Sequence, residues 1–322
     1  MASLALAACG GDDAQNPTSV ADETIEVEQQ PEAAADPSAS DFPEAEGRTL
    51  EELAKLARPG PQFAPATSHY VRGENRLAFG LIGNGGEFLY GPAAVYVGPS
   101  PDAKARGPFL APTDSLVTEP AFRSKQAALE GDSVASIYGA QVPLERPGPY
   151  SVLLLTRIND ELFGATSQVE VRRSDAIPAV GDEAPPDVTT DTVAAAGGRI
   201  DEIETREPPD DMHETDFADV VGERPVALLF ATPQLCESRV CGPVTDIALQ
   251  VKRDYGEKVE FIHQEVYVDN DPAKGLRDPL ARFNLQTEPW LFTFDEEGRV
   301  AARLEGSFGL DQFETAVKAA LD

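Results

Sequence analysis

Residues 225–244 read Pro225-Val-Ala-Leu-Leu-Phe-Ala-Thr-Pro-Gln-Leu-Cys236-Glu-Ser-Arg-Val-Cys241-Gly-Pro-Val244. The run Pro225–Ala231 is apolar without alternation, the pattern of a strand covered on both faces. Two cysteines follow, five residues apart. Val244, Ile247, Ala248 and Val251 then repeat at helical spacing, and Gly256 supplies a stop. The segment therefore predicts a strand, a cysteine-bearing loop and a helix with Cys241 at its start. A helix N-terminus offers partial positive charge and unbonded N–H groups. Both favour thiolate, the nucleophilic form of cysteine, and Arg239, two residues upstream, would add to them. The expectation is that Cys241 attacks and that Cys236 bridges to it across a C-x4-C spacing.

Downstream, Val259–Val268 reads as the next strand. Asp271-Pro272 and Pro279-Leu280 bracket a helical segment. Pro289–Phe294 and Arg299–Leu304 form a hairpin around Asp295-Glu-Glu-Gly298. The last helix, Leu310–Leu321, sets Leu310, Phe313, Val317 and Leu321 on one face. The order is strand, helix, strand, helix, hairpin, helix.

In this order, residues 178–322 resemble a thioredoxin-superfamily, redoxin-like domain of a bacterial lipoprotein. Cys241-Gly-Pro stands at the helix start, like the family's Cys-Gly-Pro-Cys. Thr287-Glu288-Pro289 falls where the family carries a cis-proline facing the active site. Gly298 occupies the hairpin turn, and Gly306 precedes the last helix. Upstream, Val180-Gly-Asp-Glu-Ala-Pro185 resembles the Gly-x-x-Ala-Pro lead-in of redoxins and peroxiredoxins. The resemblance implies an α/β thioredoxin-like fold, thiol–disulfide oxidoreductase activity at Cys241 and Cys236, and substrate contact at Glu288 and Pro289. The sequence also departs from the family pattern. Val244 takes the place of the second active-site cysteine, Val240 that of the tryptophan, and Leu229 that of a buried acid. Glu288 puts a carboxylate near the sulfur, which opposes thiolate formation if it points inward. Peroxidatic spacing of Thr or Ser and Arg around one Cys is absent.

Before this domain, Arg76–Ile82, Ala93–Val97, Ser133–Val142, Tyr150–Ile158, Leu162–Ala165 and Gln168–Val171 read as short strands broken by Gly and Pro. They predict an all-β sandwich over residues 48–174. Arg146-Pro-Gly-Pro-Tyr-Ser-Val152 resembles the late strands of immunoglobulin-like and cupredoxin-like sandwiches. His69 is the only soft ligand there, so a copper site is not expected, and His69 reads as a loop or capping residue. A short helix is expected near Thr49–Ala57. A connector and the thioredoxin-like domain take residues 175–322. Met212-His213 stands out in the connector because the chain holds only two Met and three His. The pair reads either as neighbours of the cysteines or as a turn and a cap.

Residues 9–47 are acidic and rich in Ala and Pro, and no Lys or Arg occurs before Arg48. This composition predicts a disordered tether. Ahead of it, Leu6-Ala-Ala-Cys9 resembles a lipobox, in which Cys9 is lipidated after cleavage. Residues 1–8 are too few for a basic and an apolar signal region, so they read as the remnant of a lipoprotein signal that starts upstream.

The formal net charge is −30. Such a polyanion repels phosphate backbones and anionic lipid surfaces, so no nucleic-acid partner is expected. The sequence points to no cofactor and no metal. The leading expectation is a lipid-anchored thiol–disulfide oxidoreductase on the extracytoplasmic face of the bacterial membrane. Its partners would be exported protein thiols or disulfides, or a membrane redox protein. One alternative is a non-catalytic surface binding or scaffold lipoprotein, with the cysteines as a structural clip. A weaker alternative is copper delivery by the two cysteines with His263.

Overall fold

The computed structural model describes residues 31–125, 134–236 and 240–322. The Leu6–Cys9 segment and Arg239 lie outside them.

Residues 31–47 are packed, which corrects the extent of the expected tether. Phe42 and Ala45 are buried with Leu50 and Leu53. Tyr96 Oη donates to the Pro43 carbonyl at 2.6 Å, and Arg157 Nε to that of Asp41 at 2.8 Å. One aromatic residue and a few alanines supply the apolar surface that the average composition of the segment conceals. Helix α1, Leu50–Ala54, starts at a capping box in which Thr49 and Glu52 satisfy each other's backbone N–H groups.

Two sheets build the first domain. One has β1 (Arg58–Pro59), β3 (Tyr70–Val71), β5 (Ala93–Gly98), β6 (Arg106–Leu110), β9 (Gly148–Ile158) and β10 (Glu161–Arg172). Its order is β1-β10-β9-β5-β6, with β3 also parallel to β10. The other has β2 (Gln62–Pro65), β4 (Gly73–Ile82), β7 (Thr113–Ser115) and β8 (Ser136–Leu144), in the order β2-β4-β8-β7. Leu77, Phe79, Tyr138 and Val142 of the second sheet share a core with Val95, Val97, Val152 and Leu154 of the first. The segments expected as separate strands at Leu162–Ala165 and Gln168–Val171 are one strand, β10. Its polar Thr166 and Ser167 are held in register by Leu153 and Val152 of β9.

The second domain has β11 (Val226–Phe230), β12 (Glu260–Gln264), β13 (Trp290–Phe294) and β14 (Val300–Glu305) in the order β12-β11-β13-β14. β12 is parallel to β11, whereas β13 and β14 are antiparallel to their neighbours. Its helices are α2 (Phe217–Val220), α3 (Cys241–Tyr255), α4 (Asp278–Arg282) and α5 (Leu310–Ala319). Successive strand residues face opposite sides of a sheet, and this sorts the core. Ala227, Leu229, Phe261 and Leu291 pack with Val244, Ile247 and Val251 of α3 and Phe313 and Val317 of α5. Val226, Leu228, Phe230, Ile262, Phe292 and Phe294 pack with Phe217, Leu280 and Phe283 on the other side. Strand β11 is thus covered twice, as its unbroken apolar run requires. This strand order, with helices on both faces, is the thioredoxin-like arrangement that the sequence resemblance implied.

Three local details differ from expectation. β12 ends at Gln264, because Glu265 turns to side-chain partners in the connector. The helix expected between residues 272 and 279 is a single 3-10 turn, Pro272–Lys274, and α4 begins only at Asp278. Helix α5 ends at Ala319, and Leu321 is exposed.

The two domains share surface. Ala78, Leu116 and Ile137 of the sandwich belong to the apolar cluster of α3 and α5, which explains why β4 is apolar on both faces. Around this contact the bonds are polar. Ser68 and His69 donate backbone N–H groups to the Glu305 carboxylate at 3.2 and 3.0 Å. Arg76 donates to the carbonyls of Glu305 and Ser307. Asp114 accepts from the N–H groups of Asp311 and Gln312 at the start of α5. Gly306 has φ +70°, and a Cβ there would overlap the Ala66 carbonyl oxygen, so the domains approach where only glycine fits.

Candidate active site

Strand β11 delivers the chain to Ala231 and Thr232, and the loop carries Cys236 back toward Cys241 at the first position of α3. Gly242 and Pro243 follow in the first turn, where a missing proline N–H costs no helical bond. Thr245 Oγ1 donates to the Cys241 carbonyl at 2.8 Å, anchoring that turn. Neither cysteine is in a disulfide; Cys236 is half-buried and Cys241 fully buried. A side-chain hydrogen bond from Cys236 acts on the Cys241 thiol, so the two residues are neighbours.

The electrostatics of Cys241 reverse the sequence expectation. Burial pushes its thiol well above the ordinary cysteine range, and the hydrogen bond and charge of Cys236 push it the same way. The Thr232 N–H favours thiolate, while the Glu288 carboxylate opposes it. A helix N-terminus contributes about 0.3–2 kcal/mol. Desolvating a charge in an apolar core costs several kcal/mol, so desolvation wins and Cys241 is a neutral thiol. Cys236 is the more exposed of the two residues.

Glu288 and Pro289 lie across from the helix start. The Glu288–Pro289 bond is cis, Glu288 is half-buried and Pro289 buried. Gly306 N donates to the Pro289 carbonyl at 2.8 Å, fixing this turn against the end of β14. Beside it is a cleft of about 390 Å³ between the domains. Ala64, Pro65, Phe88 and Ile137 line it from the sandwich, and Val240 and Glu288 from the cysteine side.

Behind the cysteine loop stands a buried polar layer. His263 Nε2 donates to the Ala231 carbonyl at 3.1 Å, and its Nδ1 meets Asp210 Oδ2 at 2.8 Å. Thr205 Oγ1 accepts from Gln234 N at 3.2 Å and donates to Glu265 Oε1 at 2.5 Å. Arg206 Nε meets Asp246 of α3 at 3.0 Å, with both side chains buried. Arg206 also donates to the Phe122 carbonyl at 2.7 Å, and Ser124 N donates to Asp246 at 2.8 Å. Connector, helix and first domain therefore meet on one buried charge pair.

Met212 and His213 part company. Met212 is buried in the apolar cluster that contains Cys241. His213 faces Glu204 at 3.2 Å and lies beside His263. His69 Nε2 meets Asp175 at 2.7 Å, while Arg172 donates to its Nδ1 at 3.1 Å. With both ring nitrogens of His263 engaged by Asp210 and Ala231, that residue does not offer itself to the cysteines, as copper delivery requires. The sequence reading missed Glu204, Thr205, Arg206, Asp210 and Glu265. The rarity of histidine was its one pointer to the layer.

No family model and no curated protein matches the chain. Among solved structures it is similar to a putative thiol:disulfide interchange protein DsbE from Chlorobium tepidum. That likeness has 18% identity and TM-score 0.32, covering 45% of this chain and 99% of that one. The thioredoxin domain of a thiol-disulfide oxidoreductase from Bacteroides vulgatus aligns at 17% identity and TM-score 0.30, covering 45% and 99%. At these values the fold rests on the strand order and helix placement given above. Among the described residues, no helix is long and apolar enough to cross a membrane.

Proposed function

We propose that the chain is a thiol–disulfide exchange protein whose reactive pair is Cys236–Cys241. The observation that carries this reading is a half-buried Cys236 next to a buried Cys241, with Glu288 acting on Cys241 and lining, together with Val240, a cleft against the first domain. The roles are the reverse of those expected from the helix start. Cys236 is the attacking thiol and Cys241 the resolving one.

In the reducing direction, Cys236 thiolate attacks one sulfur of a substrate disulfide. A mixed disulfide forms, and the other substrate sulfur leaves as thiolate and takes a proton. Cys241 then gives up its proton, for which the Glu288 carboxylate is the nearby acceptor, and attacks the Cys236 sulfur. The second substrate thiolate leaves and takes up the proton that Glu288 had accepted, as the first took up the proton given up by Cys236. Two electrons and two protons have passed to the substrate, and the Cys236–Cys241 disulfide remains. Oxidation of a dithiol is the same sequence run backward. The cleft suits an extended segment of an exported polypeptide, which would meet Glu288 and Pro289. The first domain, in this reading an immunoglobulin-like sandwich, supplies the far wall. The Leu6–Cys9 motif supports extracytoplasmic placement on a lipid anchor at Cys9.

Burial of Cys241 also suits a second reading, a structural clip in a non-catalytic binding or scaffold protein. The redox potential separates the two. The full chain bearing Cys9→Ser is equilibrated in thiol buffers, and the reduced fraction is read by alkylation and mass spectrometry. A midpoint between about −120 and −270 mV is expected for an exchanging pair. A pair still oxidised below about −300 mV is a clip and sinks the enzymatic reading. In the reduced protein near neutral pH, alkylation should fall on Cys236 first; preferential labelling of Cys241 would reverse the roles again.

A further inference from the structure

Glu204, Asp210, His213 and His263 converge in the buried layer, and one N or O atom from each lies within 4.8 Å of all the others. Their side chains are at most 1% exposed. Two of the chain's three histidines are here. His263 Nδ1 stands 2.8 Å from Asp210 Oδ2 and 3.5 Å from Glu204 Oε2. His213 Nε2 stands 3.2 Å from Glu204 Oε2 and 3.6 Å from Asp210 Oδ1. Ligand bonds of about 2.0–2.1 Å in a tetrahedron put neighbouring ligand atoms about 3.3 Å apart. The three that use one atom per residue, 2.8, 3.2 and 3.5 Å, bracket that value; the fourth goes to the other oxygen of Asp210.

The tautomer of His263 is the independent observation. The Ala231 carbonyl can only accept, so His263 Nε2 carries a proton. In the neutral ring Nδ1 is then a lone pair, aimed at a carboxylate oxygen 2.8 Å away. Either a proton or a metal ion must sit between two acceptors at that distance, and Nδ1 is the nitrogen turned to receive it. A backbone carbonyl on the far nitrogen is the usual outer support of a metal-binding histidine. His213 turns Nε2 to the same carboxylates while its Nδ1 is buried without a hydrogen-bond partner. The carboxylates are themselves held: Glu204 accepts from Arg206 N at 2.7 Å, and Asp210 from Met212 N at 2.9 Å.

Charge points the same way. Against the effect of burial, Asp210 and Glu204 raise the His263 imidazole well above its ordinary range, so without an ion a proton partly offsets the two carboxylates, and a divalent cation would take that proton's place. Two nitrogens and two carboxylate oxygens form a borderline-hard donor set that suits zinc or another late first-row ion better than calcium or magnesium.

We propose that Glu204, Asp210, His213 and His263 form a structural site for one divalent transition-metal ion, zinc being the natural occupant. It pins the connector segment 204–213, which has no regular secondary structure, onto β12. Through the His263–Ala231 bond it also holds the end of β11, from which the cysteine loop departs. The proposal does not depend on the exchange chemistry.

The test uses the full chain with Cys9, Cys236 and Cys241 all changed to Ser, so that thiolates cannot bind metal. The protein is stripped with a chelator and titrated with Zn²⁺ against a chromophoric indicator, then with Co²⁺ by absorption. One tight equivalent of zinc, visible bands of tetrahedral cobalt and a raised Tm are expected. Asp210→Asn, which keeps the shape, and His213→Ala should each lower zinc affinity by roughly 100-fold or more. A folded chain that takes up neither ion, its cluster filled by a proton instead, overturns the proposal. So does binding that survives both substitutions, which would belong to surface carboxylates. Should His213→Ala fail to fold, Asp210→Asn and the stoichiometry of the cysteine-free chain decide.

Discussion

The sandwich core and the layer behind the cysteine loop are both buried, but they are built from opposite materials. Between β4, β8, β5 and β9 the interior is aliphatic and aromatic, and its few polar atoms close on backbone groups. Tyr138 Oη donates to the Gly91 carbonyl and accepts from its N–H, both at 2.9 Å, while its ring stacks on Phe79. Behind the cysteines the interior holds Glu204, Arg206, Asp210, His213, Asp246, His263 and Glu265. The first interior follows from alternation along strands. The second follows from pairing between distant segments, and it pays desolvation for placing backbone rather than for stability. The contrast teaches where to look for chemistry: the costly interior lies against the cysteine loop.

The sharpest way to break this contrast is at Arg206 and Asp246. Burial raises the Asp246 carboxyl above its ordinary range even though Ser124 and Arg206 pull it down, so the pair is a weak stabiliser as a pair. Asp246→Leu alone should cost about 3–5 kcal/mol, because Arg206 stays buried and uncompensated. The double variant Arg206→Met, Asp246→Leu should cost clearly less than the two singles summed, as read from denaturant midpoints. Additive costs would mean the pair does not act as a unit.

In the sandwich, Leu154→Ala should cost about 3 kcal/mol through its cavity and leave the redox midpoint of the cysteine pair unchanged. A shifted midpoint would show that the two interiors are not separate. Gly306→Ala, where the halves touch, should cost about 2 kcal/mol from its left-handed backbone, besides the overlap with Ala66. Unlike Leu154→Ala, it should slow disulfide exchange, because Gly306 supports Pro289.

The smallest effect is expected at Asp175, which meets His69 of the sandwich and Arg303 of β14. Burial tends to raise its carboxyl. The Ile177 N–H, His69 and Arg303 outweigh that and hold it below the ordinary range. A carboxyl with a depressed folded pKa stabilises above its unfolded value, about pH 4, and loses that contribution as pH falls through the folded value. Asp175→Asn should therefore cost no more than about 1 kcal/mol at neutral pH, given solvent screening. The gap to the unsubstituted protein should close in acid; a gap that widens there would refute the sign.

What the sequence disclosed follows the same division. β11, α3 and the β13–β14 hairpin were legible because apolar period and turn glycines are local. Gly298 takes φ +74° at the hairpin turn, as its position implied. The packing of residues 31–47 was hidden, since one Phe42 decides it within an acidic stretch. The state of Cys241 was misjudged for a related reason. The helix start is visible in sequence, but the buried cluster that Cys241 joins draws also on Leu116, Ile137 and Met212, remote in the chain. Glu204 and Asp210 had no signal, because the connector carries no period and their partner His263 lies more than fifty residues away.

The bonds at the end of β14 have a mechanical consequence. Ser68, His69 and Arg76 of the sandwich grip Glu305 and Ser307, and Gly306 between them holds the Pro289 carbonyl. A tug on the first domain thus reaches the wall facing the sulfurs through a few stiff links, bypassing the long connector. In the exchange reading, a load on the sandwich is therefore a load on the wall of the cleft.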